Sequence, residues 1–133
     1  MAITYLGLGS NIGDRQTYIA RALERIGERI GKVTTVASIR ETEPVGGVVQ
    51  PLFLNTACRV ETILLPEEVL RLCKAIEEEL GRTPTKHWGP REIDIDILLY
   101  DTVHCDTPLL TLPHRYLFTR DFALLPLTEV LAR

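Results

Sequence analysis

The stretch Glu92-Ile93-Asp94-Ile95-Asp96-Ile97-Leu98-Leu99-Tyr100 constrains this chain more than any other. Apolar and acidic residues alternate through its first half, and strict alternation marks a β-strand, whose side chains point to opposite faces with period two. Ile93, Ile95 and Ile97 then face a core, while Asp94 and Asp96 share the other face. At a rise of about 3.3 Å per residue, those carboxylates stand roughly 6–7 Å apart. Aspartate is a poor strand former, and like charges on one face repel. A cation between them relieves both costs, and hard divalent ions take such oxygen ligands while keeping waters and substrate phosphates. The lead-in Trp88-Gly89-Pro90-Arg91 is a loop that delivers an aromatic and a guanidinium just upstream, suited to stacking and phosphate binding. A solvated strand face is the plainer reading of the alternation by itself; with the lead-in, the stretch points to a metal-assisted phosphate site.

With 133 residues, 45% of them hydrophobic, the chain suits one compact domain spanning 1–133. A formal charge of −3 argues against a general nucleic-acid or membrane binder, which is usually basic. The local balance differs: Arg82, Lys86, His87, Arg91, His114, Arg115 and Arg120 flank the acidic strand. Cys58, Cys73 and Cys105 are odd in number, widely spaced and without a Cys-x-x-Cys pair, so neither a disulfide framework nor a zinc pattern is indicated and a reducing compartment is favoured. The apolar start Met1–Leu8 is too short for a signal segment, and no run reaches membrane length. The expectation is a soluble cytoplasmic protein.

Along the chain, Ile3–Leu8 reads as a buried first strand leading into Gly7-Leu8-Gly9-Ser10-Asn11-Ile12-Gly13-Asp14. This turn lacks a Gly-Lys-Ser/Thr ending, and its third glycine falls late for a dinucleotide fingerprint. A tight turn with Asn11 or Asp14 capping a helix fits better. Ile19, Ala22, Leu23, Ile26 and Ile30 form that helix's apolar stripe, with Gly31 as its stop. Val33–Thr42 reads as a second strand burying Val33, Val36 and Ile39. Glu43–Pro51, with two glycines and two prolines, is a lid or a plain connector. In a third strand, Phe53–Thr62, Phe53 and Asn55 share a face and offer an aromatic and an amide to a flat heterocycle, unless they are ordinary sheet packing. Pro66-Glu67-Glu68 opens a second helix that buries Val69, Leu72, Cys73, Ile76 and Leu80 and ends at Gly81. Glu77, at the edge of that stripe, is the acid best placed to face a ligand. Asp101–Pro108 is a turn, Leu109–His114 resumes the sheet or its edge, and His114, Arg120 and Phe122 cluster around a short helix before an apolar Leu124–Leu131 segment. Strand, helix, strand, strand, helix, strand is the order of an α+β, ferredoxin-like split β-α-β sandwich, an antiparallel-rich sheet with packed helices.

Taken together, these motifs resemble the hydroxymethyldihydropterin pyrophosphokinase (HPPK) family. The match runs in order through Gly9-Ser10-Asn11, Arg40–Pro44, Phe53-Leu54-Asn55, Glu77, Gly81-Arg82, Trp88–Arg91, Asp94–Ile97 and Leu112-Pro113-His114 to Arg120 and Phe122. The resemblance implies transfer of the terminal pyrophosphoryl group of ATP to the hydroxymethyl of a reduced pterin, leaving AMP. It implies two Mg²⁺ ions on Asp94 and Asp96, with Arg82 and Arg91 completing the catalytic set. For ATP it implies Glu77, Arg82, Trp88, Arg91, Ile97, Thr111, His114 and Arg120. For the pterin it implies stacking between Phe53 and Phe122, a hydrogen bond from Asn55, and contacts from Thr42, Glu43, Val45, Trp88 and Asp94. Trp88 corresponds to a mobile-loop tryptophan, and Pro44–Pro51 to a second lid that keeps water out. The partners implied are ATP and hydroxymethyldihydropterin, with no nucleic acid, no membrane and a monomeric chain.

Several positions depart from the family pattern. Thr83-Pro84-Thr85-Lys86-His87 lacks a further arginine common after the one matched by Arg82, Leu109 and Arg115 replace a basic and an aromatic residue of some relatives, Phe53 lacks a hydroxyl, and the chain stops soon after Leu131 where many relatives continue. Two other classes compete. Nucleotidyltransferases also pair a Gly-Ser turn with Asp-x-Asp, but close in sequence, whereas Gly9-Ser10 and Asp94 here lie at opposite ends of the chain. A non-catalytic RNA-binding sheet would want clustered aromatics and a basic face, and only 6% of the residues are aromatic. A small-ligand sensor would have no use for the acidic pair.

Overall fold

The structure is a computed structural model that describes residues 1–43, 49–82, 91–115, 117 and 121–131. Its elements are β1 (Ala2–Ser10), α1 (Arg15–Arg29), β2 (Lys32–Val36), β3 (Arg40–Thr42), β4 (Phe53–Thr62), α2 (Pro66–Glu79), β5 (Asp94–Tyr100), β6 (Cys105–Asp106), β7 (Thr111–Leu112) and α3 (Asp121–Leu131). The main sheet has the order β2-β4-β1-β5, and β3 pairs with β4. Each of its strand pairs is antiparallel. This is the expected α+β sandwich with a split β-α-β order.

Alternation along the strands builds two cores. Leu6 and Leu8 of β1, Cys58 and Val60 of β4, and Ile95 and Ile97 of β5 meet Ile19, Ile26, Val69 and Ile76 of α1 and α2 on one face. Ala57 and Leu98 meet Leu117, Ala123, Leu127 and Val130 in a second cluster, the one that includes α3. Fully burying a leucine or isoleucine contributes about 1.5–3 kcal/mol, so the helix-lined face dominates the stability. Glu79, which the α2 macrodipole opposes, is offset by α1: Arg25 Nε lies 2.9 Å and Arg29 Nη2 2.7 Å from its Oε1.

Two local expectations need correction. Val33–Thr42 is not one strand. Val36 pairs with Cys58 and Arg40 with Asn55, so this edge uses four residues where β4 uses three. The extra residue breaks the ladder as a bulge does, and it leaves Val36 and Ile39 46% and 47% exposed while Ala37 turns inward. Of the two caps the sequence offers, Asn11 and Asp14, it is Asp14 that caps α1, accepting the Thr17 N–H at 3.1 Å. Leu109–His114 does not extend the main sheet: β6 and β7 form a separate two-stranded hairpin. Gly31 follows α1 as expected, and a Cβ there would lie 2.1 Å from the Glu61 carbonyl oxygen, so close backbone approach demands glycine. All three cysteine thiols are free, and burial pushes that of Cys58 up to about 12. Among the described residues no helix is long and apolar enough to cross a membrane.

Candidate active site

The site begins with the register of three strands. Gly9 lies opposite Asp94 on one side and Asn55 on the other; Gly7 lies opposite Asp96 and Ala57. The two missing side chains leave a trough between the acidic strand and β4. A Cβ on Gly9 would come within 2.8 Å of Asn55 Oδ1, and one on Gly7 within 3.3 Å of the Leu98 methyls. The trough is the floor of a cavity of about 280 Å³, walled by Asp94 and Asp96 on one flank and Phe53, Asn55 and Phe122 on another.

β5 departs from strict alternation once. Leu6 pairs with Ile97 and Tyr5 with Leu99, so Leu98 is an extra residue in the ladder. Leu98 and Leu99 both pack in the α3 cluster, and Tyr100 returns to the helix-lined core. The carbonyl of Leu98 accepts the His114 N–H at 3.0 Å. This bond brings His114 in from the β7 side, with its Nε2 3.8 Å from Asp96 Oδ1. Burial lowers the His114 pKa, opposed by the negative charge of Asp94.

Cations converge on the acidic pair. Arg82 Nη1 lies 2.8 Å from Glu77 Oε1 and 3.2 Å from Asp94 Oδ1, and Arg91 Nη1 lies 3.3 Å from Asp94 Oδ2. Glu77 is 2% exposed, and its Oε2 accepts the Ile95 N–H at 2.7 Å. β5 is an edge strand, so this carboxylate satisfies a backbone donor that would otherwise have no strand partner. Burial raises the Glu77 pKa, and Asp94 raises it further, against Lys74, the Ile95 N–H and Arg82. Asp96 is held well above the usual carboxylate range, first by burial and then by Asp94. With 34% of its side chain exposed to the cavity, Asp96 keeps some screening by water.

A pair of carboxylates that resist joint ionisation is an arrangement a cation stabilises. Among the described residues no group of three or more His, Cys, Asp and Glu converges to form a full metal cage. Two carboxylates with the rest of the coordination open fit Mg²⁺, which keeps waters and takes phosphate oxygens.

Thr42, Glu43, Phe53, Asn55, Arg82, Arg91, Asp94, Asp96, His114 and Phe122 all line the cavity. Asn55 Nδ2 donates to Thr42 Oγ1, which fixes the amide against the Gly9 floor. Glu77, Ile97 and Thr111 are not part of the lining. Glu77 sits beneath Arg82 and Asp94, Ile97 is 3% exposed in the helix-lined core, and the Thr111 hydroxyl is 3.5 Å from Asp106 Oδ1. Val45, Trp88 and Arg120 lie outside the described residues, as do 44–48 of the Pro44–Pro51 loop and the altered 83–87 segment.

Two residues at the site were not among those the sequence assigned to it. Lys74 lines the cavity, and its spacing of three from Glu77 places both on one helix face, a signal available in the sequence. Asn11 is 1% exposed and clamps the backbone of Arg91 to that of Pro51, a role no sequence pattern separates from capping.

The model of the 7,8-dihydro-6-hydroxymethylpterin-pyrophosphokinase (HPPK) family matches residues 5–132. A protein of Bacillus subtilis (strain 168) named 2-amino-4-hydroxy-6-hydroxymethyldihydropteridine pyrophosphokinase is 46% identical over 129 residues, covering 96% of this chain and 77% of its own. An Aquifex aeolicus (strain VF5) protein of the same name is 45% identical over 130 residues, 98% of this chain and 81% of its own. Among solved structures, Plasmodium falciparum HPPK-DHPS, wild type with SDX-DHP, superposes with a TM-score of 0.66 at 18% identity over 94% of this chain. An HPPK-DHPS in complex with substrates gives 0.73 at 16% identity over 97% of it. This chain spans about two fifths of those longer HPPK-DHPS chains, 39% and 40%, and the likeness shows a shared fold. The match of the family model from residue 5 to 132, with relatives at 45–46% identity across nearly the whole chain, establishes that this chain belongs to the HPPK family.

Proposed function

We propose that the Asp94–Asp96 cavity transfers a pyrophosphoryl group from ATP to the hydroxymethyl of 6-hydroxymethyl-7,8-dihydropterin, releasing AMP. The observation that carries this reading is one cavity with two chemistries: an acidic pair ringed by Arg82, Arg91 and His114, and an aromatic–amide flank of Phe53, Asn55 and Phe122. The first suits a metal-bound triphosphate and the second a flat, hydrogen-bonding heterocycle.

Asp94 and Asp96 would hold two Mg²⁺ ions. When bound, Mg²⁺ supplies charge neutralisation of the triphosphate and eases proton loss from the attacking hydroxyl. Arg82 and Arg91 are held at Asp94 and would turn to phosphate oxygens once that carboxylate has another partner. His114, pushed toward its neutral form by burial, would donate one N–H to the phosphate chain. Phe53 and Phe122 would sandwich the pterin ring, and Asn55, braced by Thr42, would read its edge. Trp88, Val45 and Arg120 would complete the site from the flanking segments, with Glu43 at its rim. Glu77, Ile97 and Thr111 would support the nucleotide side; for Glu77 this support passes through Arg82 and the Ile95 backbone.

The same reading makes residues 1–133 a single pyrophosphokinase domain, acting as a monomer in the cytoplasm with no nucleic-acid or membrane partner. Product analysis tests the reaction. AMP with pterin diphosphate means pyrophosphoryl transfer; release of inorganic pyrophosphate would mean nucleotidyl transfer and would overturn the proposal.

A further inference from the structure

α3 has 11 residues and carries Pro126 in its interior. A helix this short is marginal by itself, and a proline there removes the N–H that would reach the Phe122 carbonyl one turn back. What it docks on therefore sets its position. Ala123, Leu127 and Val130 pack with Ala57 and Leu98, but apolar contact is non-directional and tolerates sliding. Glu129 supplies directional contacts. Its Oε2 accepts the Ser38 N–H at 2.8 Å and the Ser38 hydroxyl at 3.1 Å, and its Oε1 pairs with Arg40 Nη2.

Those contacts lead to the aromatic–amide flank of the cavity. Arg40 stands opposite Asn55, and Thr42 opposite Phe53, along β3 and β4. Cross-strand partners share a face, and on this face Thr42, Phe53 and Asn55 line the cavity. Phe122 lines it from α3, seven residues before Glu129. Seven residues are close to two full turns, so the two side chains leave nearly the same side of the helix, about 10 Å apart along it. β3 thus braces the flank twice. Thr42 accepts from the Asn55 amide, while Arg40 and the nearby Ser38 hold the helix that carries Phe122. Arg40 Nη1 is buried with no hydrogen-bond partner among the described residues. An unpaired buried donor costs stability, so gain in stability is a poor account of the Arg40–Glu129 pair.

We infer that Glu129, seated by Ser38 and Arg40, is a positioning residue for the pterin: it fixes where α3 lies and so the gap between the rings of Phe122 and Phe53. The inference rests on the pyrophosphokinase reading above. A gap wider by about 0.5–1 Å forfeits about a quarter to a half of each dispersion contact across it. A flat ligand held between two rings feels that loss. The triphosphate does not, because Arg82 and Arg91 are held at Asp94 on β5 and not by α3.

The test uses the wild type, E129A, F122L and the E129A/F122L double variant. Each is titrated with a non-hydrolysable ATP analogue and Mg²⁺, and then, at saturating analogue, with hydroxymethyldihydropterin. E129A should weaken pterin binding about tenfold and change analogue binding by less than about twofold. In the F122L background, E129A should change pterin binding by less than about twofold, because a residue that acts through Phe122 has little left to act on. E129Q should keep most of the pterin affinity, since its amide oxygen still accepts the Ser38 N–H. Equal pterin loss from E129A in both backgrounds would overturn the inference, as would unchanged pterin affinity in folded E129A. Equal weakening of both ligands, with a lowered melting temperature, would overturn it in favour of a general structural role. Should E129A fail to fold, Arg40→Gln removes the ion pair alone and is read the same way against F122L. A wild type that binds the analogue but no pterin would overturn the underlying reading, a result separable from any effect of Glu129.

Discussion

Asn11 and Arg91 hold each other by two reciprocal hydrogen bonds, the Arg91 N–H donating to Asn11 Oδ1 at 2.8 Å and the Asn11 N–H to the Arg91 carbonyl at 3.0 Å. The amide nitrogen of Asn11 also donates to Gln50 Oε1 and to the Pro51 carbonyl, each at 2.9 Å. One buried side chain at the end of β1 thus fixes the backbone of a phosphate-facing arginine and the end of the Pro44–Pro51 loop. Asn11→Ala removes three side-chain hydrogen bonds and strands a buried N–H, so a loss of about 2–4 kcal/mol is expected. Urea unfolding measures it, and turnover should fall further than stability alone explains because Arg91 loses its anchor. A variant as stable and as active as the wild type would contradict this role.

Gly9 and Asn55 are opposed across β1 and β4, and a Cβ on Gly9 would press on the Asn55 amide oxygen. Gly9→Ala should therefore displace the amide from Thr42 and weaken pterin binding more than ATP binding, with a stability cost of about 1–3 kcal/mol from overpacking. Separate titrations of the two ligands check this. Equal weakening of both would mean that the strand shifts as a whole instead of the amide alone.

Glu129 ties α3 to the sheet edge. Its Oε2 accepts the Ser38 N–H at 2.8 Å and the Ser38 hydroxyl at 3.1 Å, and Arg40 pairs with its other oxygen. The Ser38 N–H contributes most to holding this carboxyl below its ordinary value of 4.5, against a smaller effect of burial. A carboxyl lowered on folding contributes stability that is complete above its unfolded pKa and lost as pH falls through its folded one. The Ser38 amide resonance should accordingly titrate with a midpoint below 4.5, and Glu129→Gln should abolish that titration. A midpoint at or above 4.5 would contradict the tether.

Much of this architecture was legible because local pattern and tertiary environment agree. The Ile93–Ile97 alternation put three isoleucines in a core and two aspartates on a cavity, as found. Apolar stripes located α1 and α2 for the same reason. The misreadings have physical causes. Val36 and Ile39 read as buried because they are apolar residues of an expected strand, but a spacing of three cannot keep both on one face of a strand, β2 lies at the sheet edge, and the bulge before β3 leaves both exposed. Leu98 and Leu99 lie side by side on one face because a second bulge interrupts the period of two. Glu77 was recognisable as unusual on an apolar stripe. That it caps the open edge of β5 depends on which strand is outermost, and sheet order is not written in any local segment. Asn11 and Gly9 act across the fold, so spacing alone pointed to a cap and a turn.

The central claim is that the Asp94–Asp96 face performs pterin-dependent pyrophosphoryl transfer, and AMP formation from MgATP tests it most directly. The measurement compares the wild type with the Asp94→Ala/Asp96→Ala double variant, each with and without hydroxymethyldihydropterin. The wild type should form AMP only with the pterin, matched by pterin diphosphate. The double variant should keep its melting transition, since both carboxylates face the cavity and not the helix-lined core. Its turnover should fall on the order of a thousandfold or more, as expected when several kcal/mol of transition-state stabilisation is lost. Near-normal pterin-dependent AMP formation by the folded double variant would contradict the account.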